Sequence, residues 1–168
     1  MDKRPIIISL SINHEAQTFF DRLREMYFPP ERNFLKAHLT LFHALPGEKL
    51  ADIVNELESV AAETRTFELS AQGWKVMGKG VALVLERSQL RDIHQKLQVK
   101  WQKHLTAQDA QGLWPHITIQ NKVSPQEAQF TYEKVRDMWP PPVMATGFKL
   151  YYYDGGPWEF AGLYPFGN

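Results

Sequence analysis

The chain has 168 residues, of which 43% are hydrophobic, and a chain of this size can form one domain with a core of its own. It contains no cysteine, which excludes disulfides, thiol nucleophiles, iron–sulfur clusters and cysteine-ligated zinc. Its 19 basic residues balance 19 acidic ones, so we do not expect a broad surface that binds polyanions. No apolar run approaches the ~20 residues of a membrane span, and we predict a cytoplasmic protein without membrane contact.

The first half of the chain alternates between patterns typical of strands and patterns typical of helices. β-Branched and apolar residues at 6–12 predict a buried strand, and apolar residues at helical spacing over 16–27 predict a helix that stops at Phe28-Pro29-Pro30. A further strand is predicted over residues 35–42. A second helix is predicted by the apolar stripe of Leu50, Ile53, Val54, Leu57, Val60 and Ala61.

The second half of the chain repeats this alternation. Residues 67–76 and 81–85 predict two strands around the turn signal Gly78-Lys79-Gly80. Apolar spacing over 90–105 predicts a third helix, residues 113–123 predict a strand, and Ser124-Pro125 predicts the capped start of a fourth helix. Residues 143–153 and 158–164 predict a final hairpin.

An internal repeat becomes visible in this order of elements. His38-Leu39-Thr40-Leu41 begins ten residues before Glu48, near the second helix start, and His116-Ile117-Thr118-Ile119 begins ten residues before Gln126, near the fourth. We therefore predict a single α+β domain made of two duplicated lobes, about residues 5–78 and 79–165. In this prediction the antiparallel sheets of the two pseudo-symmetric lobes face a central groove, the helices lie outside, and exchange of strands between the lobes is left open.

Each repeated tetrapeptide places a histidine and a threonine on one face of a strand, because residues i and i+2 point the same way. Packing of the two lobes would then bring His38, Thr40, His116 and Thr118 to one groove. Two imidazoles suit phosphoester chemistry, since near neutral pH one ring can accept a proton and the other can donate one. Threonine hydroxyls can donate hydrogen bonds to phosphate oxygens. One such motif alone is most often structural, so the prediction depends on the motif occurring twice.

At these two motifs the chain resembles the 2H phosphoesterase superfamily, specifically its bacterial branch of 2′-5′ RNA ligase-like RNA 2′,3′-cyclic phosphodiesterases. The resemblance covers about residues 5–165. It implies that His38 and His116 are catalytic, that Thr40 and Thr118 bind phosphate, and that no metal or cofactor takes part. The implied reaction is hydrolysis of a 2′,3′-cyclic phosphate on an RNA end or a nucleotide, usually to a 2′-phosphate. Some members also join or split 2′-5′ linkages without ATP.

The resemblance leaves two points for the residues to decide. It favours His38 as the acid and His116 as the base, whereas the sequence itself assigns neither role. RNA-directed members often carry basic residues near the second motif, but here Gln120-Asn121-Lys122 supplies only one. Together with zero net charge, this departure favours a small or short-ended substrate over long RNA. We expect the protein to be a monomer.

Other residues have two interpretations that the sequence leaves open. Strand alternation places Lys36 and Phe42 on the face of His38, and Trp114 and Gln120 on the face of His116. Substrate contact or packing elsewhere stays open for Trp114, Lys36, Phe42, Tyr151 and Tyr153. Segments 28–33 and 106–112 precede the motif strands and are expected to cover substrate. No histidine has metal-ligand spacing with another histidine or carboxylate, so we predict no metal site.

Two other functions compete with the enzyme interpretation. The same groove can serve a module that binds a nucleotide or RNA end without turnover, or the histidines can be buried parts of a scaffold. Two complete motifs argue against the binding module, because binding alone does not require two proton-transfer groups. Exposure of both imidazoles in a shared cleft would dismiss the scaffold.

Overall fold

The structure, a computed structural model, describes residues 2–167 of the chain. Within that range strands and helices follow one another along the whole chain. In chain order they are β1 (Ile6–Ile12), α1 (His14–Tyr27), β2 (Thr40–Leu45), α2 (Leu50–Glu63), β3 (Phe67–Leu69), β4 (Ala71–Val76), β5 (Val81–Leu85), α3 (Ser88–Lys100), β6 (His116–Gln120), α4 (Pro125–Val135), β7 (Val143–Tyr152) and β8 (Glu159–Pro165).

The strands form two sheets, and every strand pair in them is antiparallel. The larger sheet has the order β2-β1-β7-β3, and β8 pairs with β7 beside β3. The smaller sheet has the order β4-β5-β6. Together with the four helices these sheets confirm the predicted α+β class.

Membership of the two sheets does not follow the order of the chain. The stretch 67–76, predicted as one strand, is divided at Ser70: β3 joins the larger sheet, and β4 joins the smaller one. The C-terminal hairpin of β7 and β8 returns to the larger sheet, where β7 pairs with β1. Strands from both ends of the chain therefore build the sheet that carries the first motif. The duplication of the chain into two lobes stays a prediction.

Both motif strands are shorter than predicted. β2 begins at Thr40, so His38 lies just before the strand, and β6 begins at His116. The expectation that Phe42 shares the face of His38 is wrong. Irregular pairing of β1 with β2 near Ile8 breaks the simple alternation of faces, and Phe42 is fully buried against the His94 ring, with the ring centroids 4.7 Å apart.

Local signals in the sequence explain where the predicted helices and turns form. α1 buries an apolar stripe and ends at Tyr27, because the residues that follow it, Phe28-Pro29, disfavour helix. α4 begins with Ser124, whose hydroxyl accepts the backbone N–H of Glu127 at 3.1 Å. The Gly78-Lys79-Gly80 turn joins β4 to β5 as predicted, and Gly78 has a φ of +65° that favours glycine.

α1 connects the two sheets. Gln120, at the end of β6, donates to the backbone carbonyl of Tyr27 at 3.2 Å and to the Thr131 hydroxyl at 2.8 Å. Gln120 is buried, so the expectation that it shares the groove face of His116 is wrong. These contacts hold the second motif strand close to the helix that precedes the first motif.

Candidate active site

The two motif histidines are held by the same kind of hydrogen bond. Nδ1 of His38 lies 2.8 Å from the carbonyl oxygen of Lys36, and Nδ1 of His116 lies 2.8 Å from the carbonyl oxygen of Trp114. A carbonyl oxygen only accepts, so Nδ1 carries the hydrogen in both rings. In the neutral rings Nε2 is therefore the nitrogen with the free lone pair, and it is available for proton transfer.

Each of these imidazoles also has a tryptophan against it. The ring centroids of His38 and Trp158 are 4.7 Å apart, and those of His116 and Trp114 are 4.6 Å apart. The ammonium of Lys75 lies 5.3 Å from the centroid of the Trp114 ring. Trp114 is half-buried and packs on a motif histidine, so of the two open interpretations the structure supports a place beside the site.

A cavity of about 620 Å³ lies beside His38 and brings it together with Thr118 of the second motif. Among the described residues, its basic side chains are Arg24, Arg32 and Lys122, and none of its lining residues is a carboxylic acid. Aromatic rings complete the walls, from Phe28, Phe34, Tyr153 and Trp158. This combination of positive charge and aromatic surface is suited to a nucleotide.

The other two motif residues, His116 and Thr40, do not line this cavity. His116 nevertheless lies near enough for its positive charge to lower the pKa of His38. Thr40 is half-buried and pairs with Ser9 in the neighbouring strand β1. The structure thus joins His38 and Thr118 in one cavity, with His116 interacting through its charge.

His38 is the motif residue whose protonation is most clearly affected by its surroundings. Burial lowers its pKa below the usual 6.5, and this outweighs the hydrogen bond to the Lys36 carbonyl, which raises it. The charges of Arg24 and His116 lower the pKa further. His38 is therefore predominantly neutral at pH 7 in the free protein.

Arg24 is a functional candidate that the sequence analysis missed. It is only 4% exposed, yet no carboxylate in residues 2–167 forms a salt bridge with it. Nε donates to the Asn33 side chain at 3.1 Å, Nη1 donates to the Thr118 carbonyl at 3.2 Å, and the guanidinium lies 4.1 Å from the Phe28 ring centroid. Burial lowers the pKa of Arg24 to about 10, although nearby Asp21 raises it.

The position of Arg24 in the sequence did indicate that it is unusual. It lies four residues after Phe20, which places it on the buried face of α1, where an arginine needs a compensating group. Trp158 and Phe34 had no comparable signal, because they are in connecting segments that reach the cavity only through the fold. Segment 28–33, which is expected to cover substrate, does line the cavity, through Phe28 and Arg32.

The structure also shows where the other residues lie for which the sequence left two interpretations. Tyr153 lines the cavity of about 620 Å³, whereas Tyr151 and Lys36 line a second cavity that His38 also borders. Segment 106–112 lines neither of these cavities. Its buried Asp109 accepts the backbone N–H groups of His43 and Ala44 at 2.7 and 2.9 Å, which fastens the segment to β2.

In residues 2–167 no group of three or more histidine and acidic side chains is placed to hold a metal ion. None of the helices in the same range has both the length and the apolar character needed to cross a membrane.

Comparisons with known proteins agree with this architecture. A sequence model of the 2′-5′ RNA ligase superfamily matches residues 12–157. The fold is similar to E. coli LigT complexed with 3′-AMP, at 17% identity and a TM-score of 0.62, with 99% of this chain and 100% of LigT covered. It is also similar to TT0787 of Thermus thermophilus, at 15% identity and a TM-score of 0.67, with 96% and 97% covered.

A search among curated proteins gave no match. The superfamily match nevertheless spans most of the chain and includes both His-x-Thr motifs. The chain therefore belongs to the 2′-5′ RNA ligase superfamily of 2H phosphoesterases.

Proposed function

We propose that this protein hydrolyses 2′,3′-cyclic phosphates on RNA ends or nucleotides, with His38 and His116 as the acid–base pair. The observation that carries the proposal is the matching pair of Nδ1 hydrogen bonds to backbone carbonyls, which leaves Nε2 of each ring free. A role confined to packing would not require both rings to be held in the same tautomer. Thr40 and Thr118 bind the phosphate in this proposal.

The proposed reaction needs one proton removed and one proton supplied. One imidazole takes a proton from water, whose oxygen attacks the phosphorus. The bond from phosphorus to O3′ breaks, and the other imidazolium gives its proton to O3′, so the products are a 2′-phosphate and a 3′-hydroxyl. Each of these transfers contributes ~10²–10⁴ in rate. The protein needs no metal or cofactor for either transfer.

The surroundings of His38 bear on its protonation before substrate binds. Its pKa is lowered, so in the free protein the neutral ring, which can accept a proton, is favoured. The family resemblance favours His38 as the acid, so the proposal leaves the two roles to be assigned by experiment. An anionic phosphate bound beside His38 raises its pKa, so the protonation state must be measured with ligand present.

Arg24 supplies a charge for the reacting phosphate in this proposal. Asn33 and the Thr118 carbonyl hold Nε and Nη1, and the residue lines the same cavity as His38. A guanidinium already held in place stabilises negative charge that develops on phosphate oxygens without reorganising during the reaction. The aromatic rings around the cavity provide surfaces on which a base can stack.

The test is an assay of a substrate panel with EDTA present throughout. The panel contains 2′,3′-cyclic AMP, an RNA with a cyclic phosphate end, ADP-ribose cyclic phosphate and a 2′-5′ dinucleotide. We expect turnover of cyclic phosphates to 2′-phosphates, loss of that turnover in His38→Ala, and full turnover in the control His104→Ala. No turnover of any cyclic phosphate by the folded wild-type protein would contradict the proposal.

A second candidate function is a module that binds a nucleotide without turnover. It is favoured by one observation: the cavity that contains His38 and Thr118 does not include His116 or Thr40. Calorimetric titration with 2′-AMP distinguishes the two functions. Binding of 2′-AMP by a protein that turns over no member of the panel is the result expected for the module.

A further inference from the structure

A second cavity, of about 430 Å³, also borders His38. The two cavities share four lining residues, which are Phe34, Leu35, His38 and Trp158. Lys36, Lys149 and Tyr151 line only the second cavity of these two. The two cavities thus form a continuous surface that passes the proposed reaction centre.

The second cavity has an excess of positive charge. Lys36 and Lys149 line it, and neither forms a salt bridge with any residue in the described range 2–167. Its one acidic lining residue is Asp21, which already accepts the Gln17 amide at 2.9 Å and the Ala37 backbone N–H at 2.8 Å. The lysines are therefore available to an anionic ligand.

The larger sheet places Lys149 in line with the first motif. Ser9 of β1 pairs with Thr40 on one side and with Lys149 on the other. Directly paired residues share a face, so Lys149, Ser9 and Thr40 form one row across three strands. Two strand spacings separate the ends of this row, which is roughly 10 Å between the Cα atoms. A phosphate next to one held at Thr40 is within reach of a lysine side chain placed there.

Two aromatic rings, those of Tyr151 and Trp158, line the second cavity together with Lys149. Tyr151 lies two residues after Lys149 on β7, so both side chains are on the same face. The centroids of the Tyr151 and Trp158 rings are 5.4 Å apart. Trp158 also contacts His38, so it borders the reaction centre and the second cavity together. A nucleoside attached to the second phosphate has a surface to lie against.

We propose that the second cavity binds a further phosphate group of the substrate, with Lys149 as its main contact. The inference rests on the proposed function, because it places the cyclic phosphate beside His38. Two sources supply this chemistry: the phosphodiester of the adjoining nucleotide in an RNA end, and the pyrophosphate of ADP-ribose cyclic phosphate. The preferred substrates therefore carry at least two phosphate groups.

The test compares Lys149→Ala with the wild type on three substrates: 2′,3′-cyclic AMP, the dinucleotide ApA with a 2′,3′-cyclic phosphate, and ADP-ribose cyclic phosphate. We expect kcat/KM on a two-phosphate substrate to fall about tenfold, the effect of losing one charge-assisted contact. Turnover of cyclic AMP stays unchanged. The dinucleotide and the ADP-ribose compound report separately which source of phosphate the cavity accepts.

Two variants serve as controls. Lys149→Arg keeps the charge and restores the preference for the two-phosphate substrate, and Lys100→Ala removes an exposed lysine of α3 that lines neither cavity. For an RNA end, the slope of log(kcat/KM) against log[salt] becomes less steep by about 0.7 in Lys149→Ala, the value for one phosphate contact on a single strand. A folded Lys149→Ala protein with unchanged kcat/KM on both two-phosphate substrates would overturn the proposal. So would an equal loss on all three substrates.

Failure of the proposed function is separable from failure of this inference. If the wild type turns over no cyclic phosphate, the binding of 2′-phosphorylated ApA and of 2′-AMP is measured by calorimetry instead. Tighter binding of the dinucleotide that disappears in Lys149→Ala then supports the second cavity, and equal affinities for both ligands overturn it.

Discussion

The charge of His116 acts on His38, although each ring is held by its own backbone carbonyl. Each ring has its Nδ1 hydrogen committed to a carbonyl oxygen, so any change of charge occurs at Nε2. Part of the lowering of the His38 pKa comes from the positive charge of His116. This interaction provides a way to measure whether the two rings face one another.

We predict that His116→Ala raises the pKa of His38. Removing a nearby positive charge favours the protonated form of the ring that remains. The measurement is an NMR titration of the His38 ring in the free protein, with exposed His14 as an internal reference. An unchanged His38 pKa in the variant would show that the two rings are too far apart to work on one phosphorus atom.

Substitution of Arg24 distinguishes a role in activity from a role in stability. Its buried charge has no salt-bridge partner in residues 2–167, so burying the side chain is a cost to folding, and the proposed contact with substrate would account for it. We predict that Arg24→Met lowers kcat/KM on a cyclic phosphate by about tenfold to a hundredfold while the melting temperature stays the same or rises.

The control for this prediction is Arg22→Met, which removes an arginine on the same helix that does not line the cavity of about 620 Å³. Full activity in Arg24→Met would remove Arg24 from the site. A large drop in melting temperature with no effect specific to the substrate would show that Arg24 serves folding alone.

At the scale of elements, the buried carboxylate of Asp109 joins the segment after α3 to strand β2. It accepts two backbone N–H groups of β2, at His43 and Ala44, and lies 3.2 Å from Nδ1 of His43. Burial raises the pKa of Asp109, but these hydrogen bonds outweigh burial and hold it below the usual 3.8. The carboxylate therefore stabilises the motif strand.

We predict that Asp109→Asn lowers the free energy of unfolding by about 3 kcal/mol, because an amide cannot accept all of these hydrogen bonds. Urea denaturation measures the change, and Asp137→Asn at an exposed position is the matched control. A loss no larger than that of the control would show that Asp109 does not anchor the strand.

The elements differ in how far the sequence could predict them. α1, α2, β5 and the turn at Gly78-Lys79-Gly80 follow from spacing within a few residues, and the structure confirms them. The division of residues 67–76 between two sheets could not be predicted, because the partner of each half lies far along the chain. The place of Phe42 was wrong for a similar reason: an irregular strand pairing reversed its face.

For the site, the repeated His-x-Thr motif was sufficient to select four residues, and the structure describes their surroundings. The basic and aromatic lining could not be predicted, since Arg24 comes from a helix, and Phe34 and Trp158 come from connecting segments. Counting charges near the second motif therefore underestimated the positive charge that lines the cavity of about 620 Å³.

At the scale of the whole molecule, two histidines make stability depend on pH. Burial lowers the pKa of both His38 and His94 below 6.5, so the folded state favours their neutral forms. The unfolded chain binds protons first as the pH falls. The contribution of these two neutral histidines to the free energy of unfolding is therefore complete above pH 6.5. It is lost as the pH falls below 6.5 and through their pKa values in the folded state.

We predict that the melting temperature falls between pH 7.5 and pH 5, and that His94→Gln makes this fall less steep. Glutamine does not titrate, and it can still donate to the Leu41 carbonyl that His94 contacts at 3.0 Å. Thermal unfolding across this range is the measurement, with His14→Gln as the control. An equal slope in His94→Gln and the wild type would contradict the assignment.

The proposed reaction requires His38 and His116 to act together on one phosphorus atom. The most direct test is a double-mutant cycle on the hydrolysis of 2′,3′-cyclic AMP with EDTA present, using His38→Ala, His116→Ala and the double variant. We predict that each single variant loses ~10²–10⁴ in kcat, and that the double variant is about as slow as the slower single variant. Full turnover by either folded single variant would contradict it.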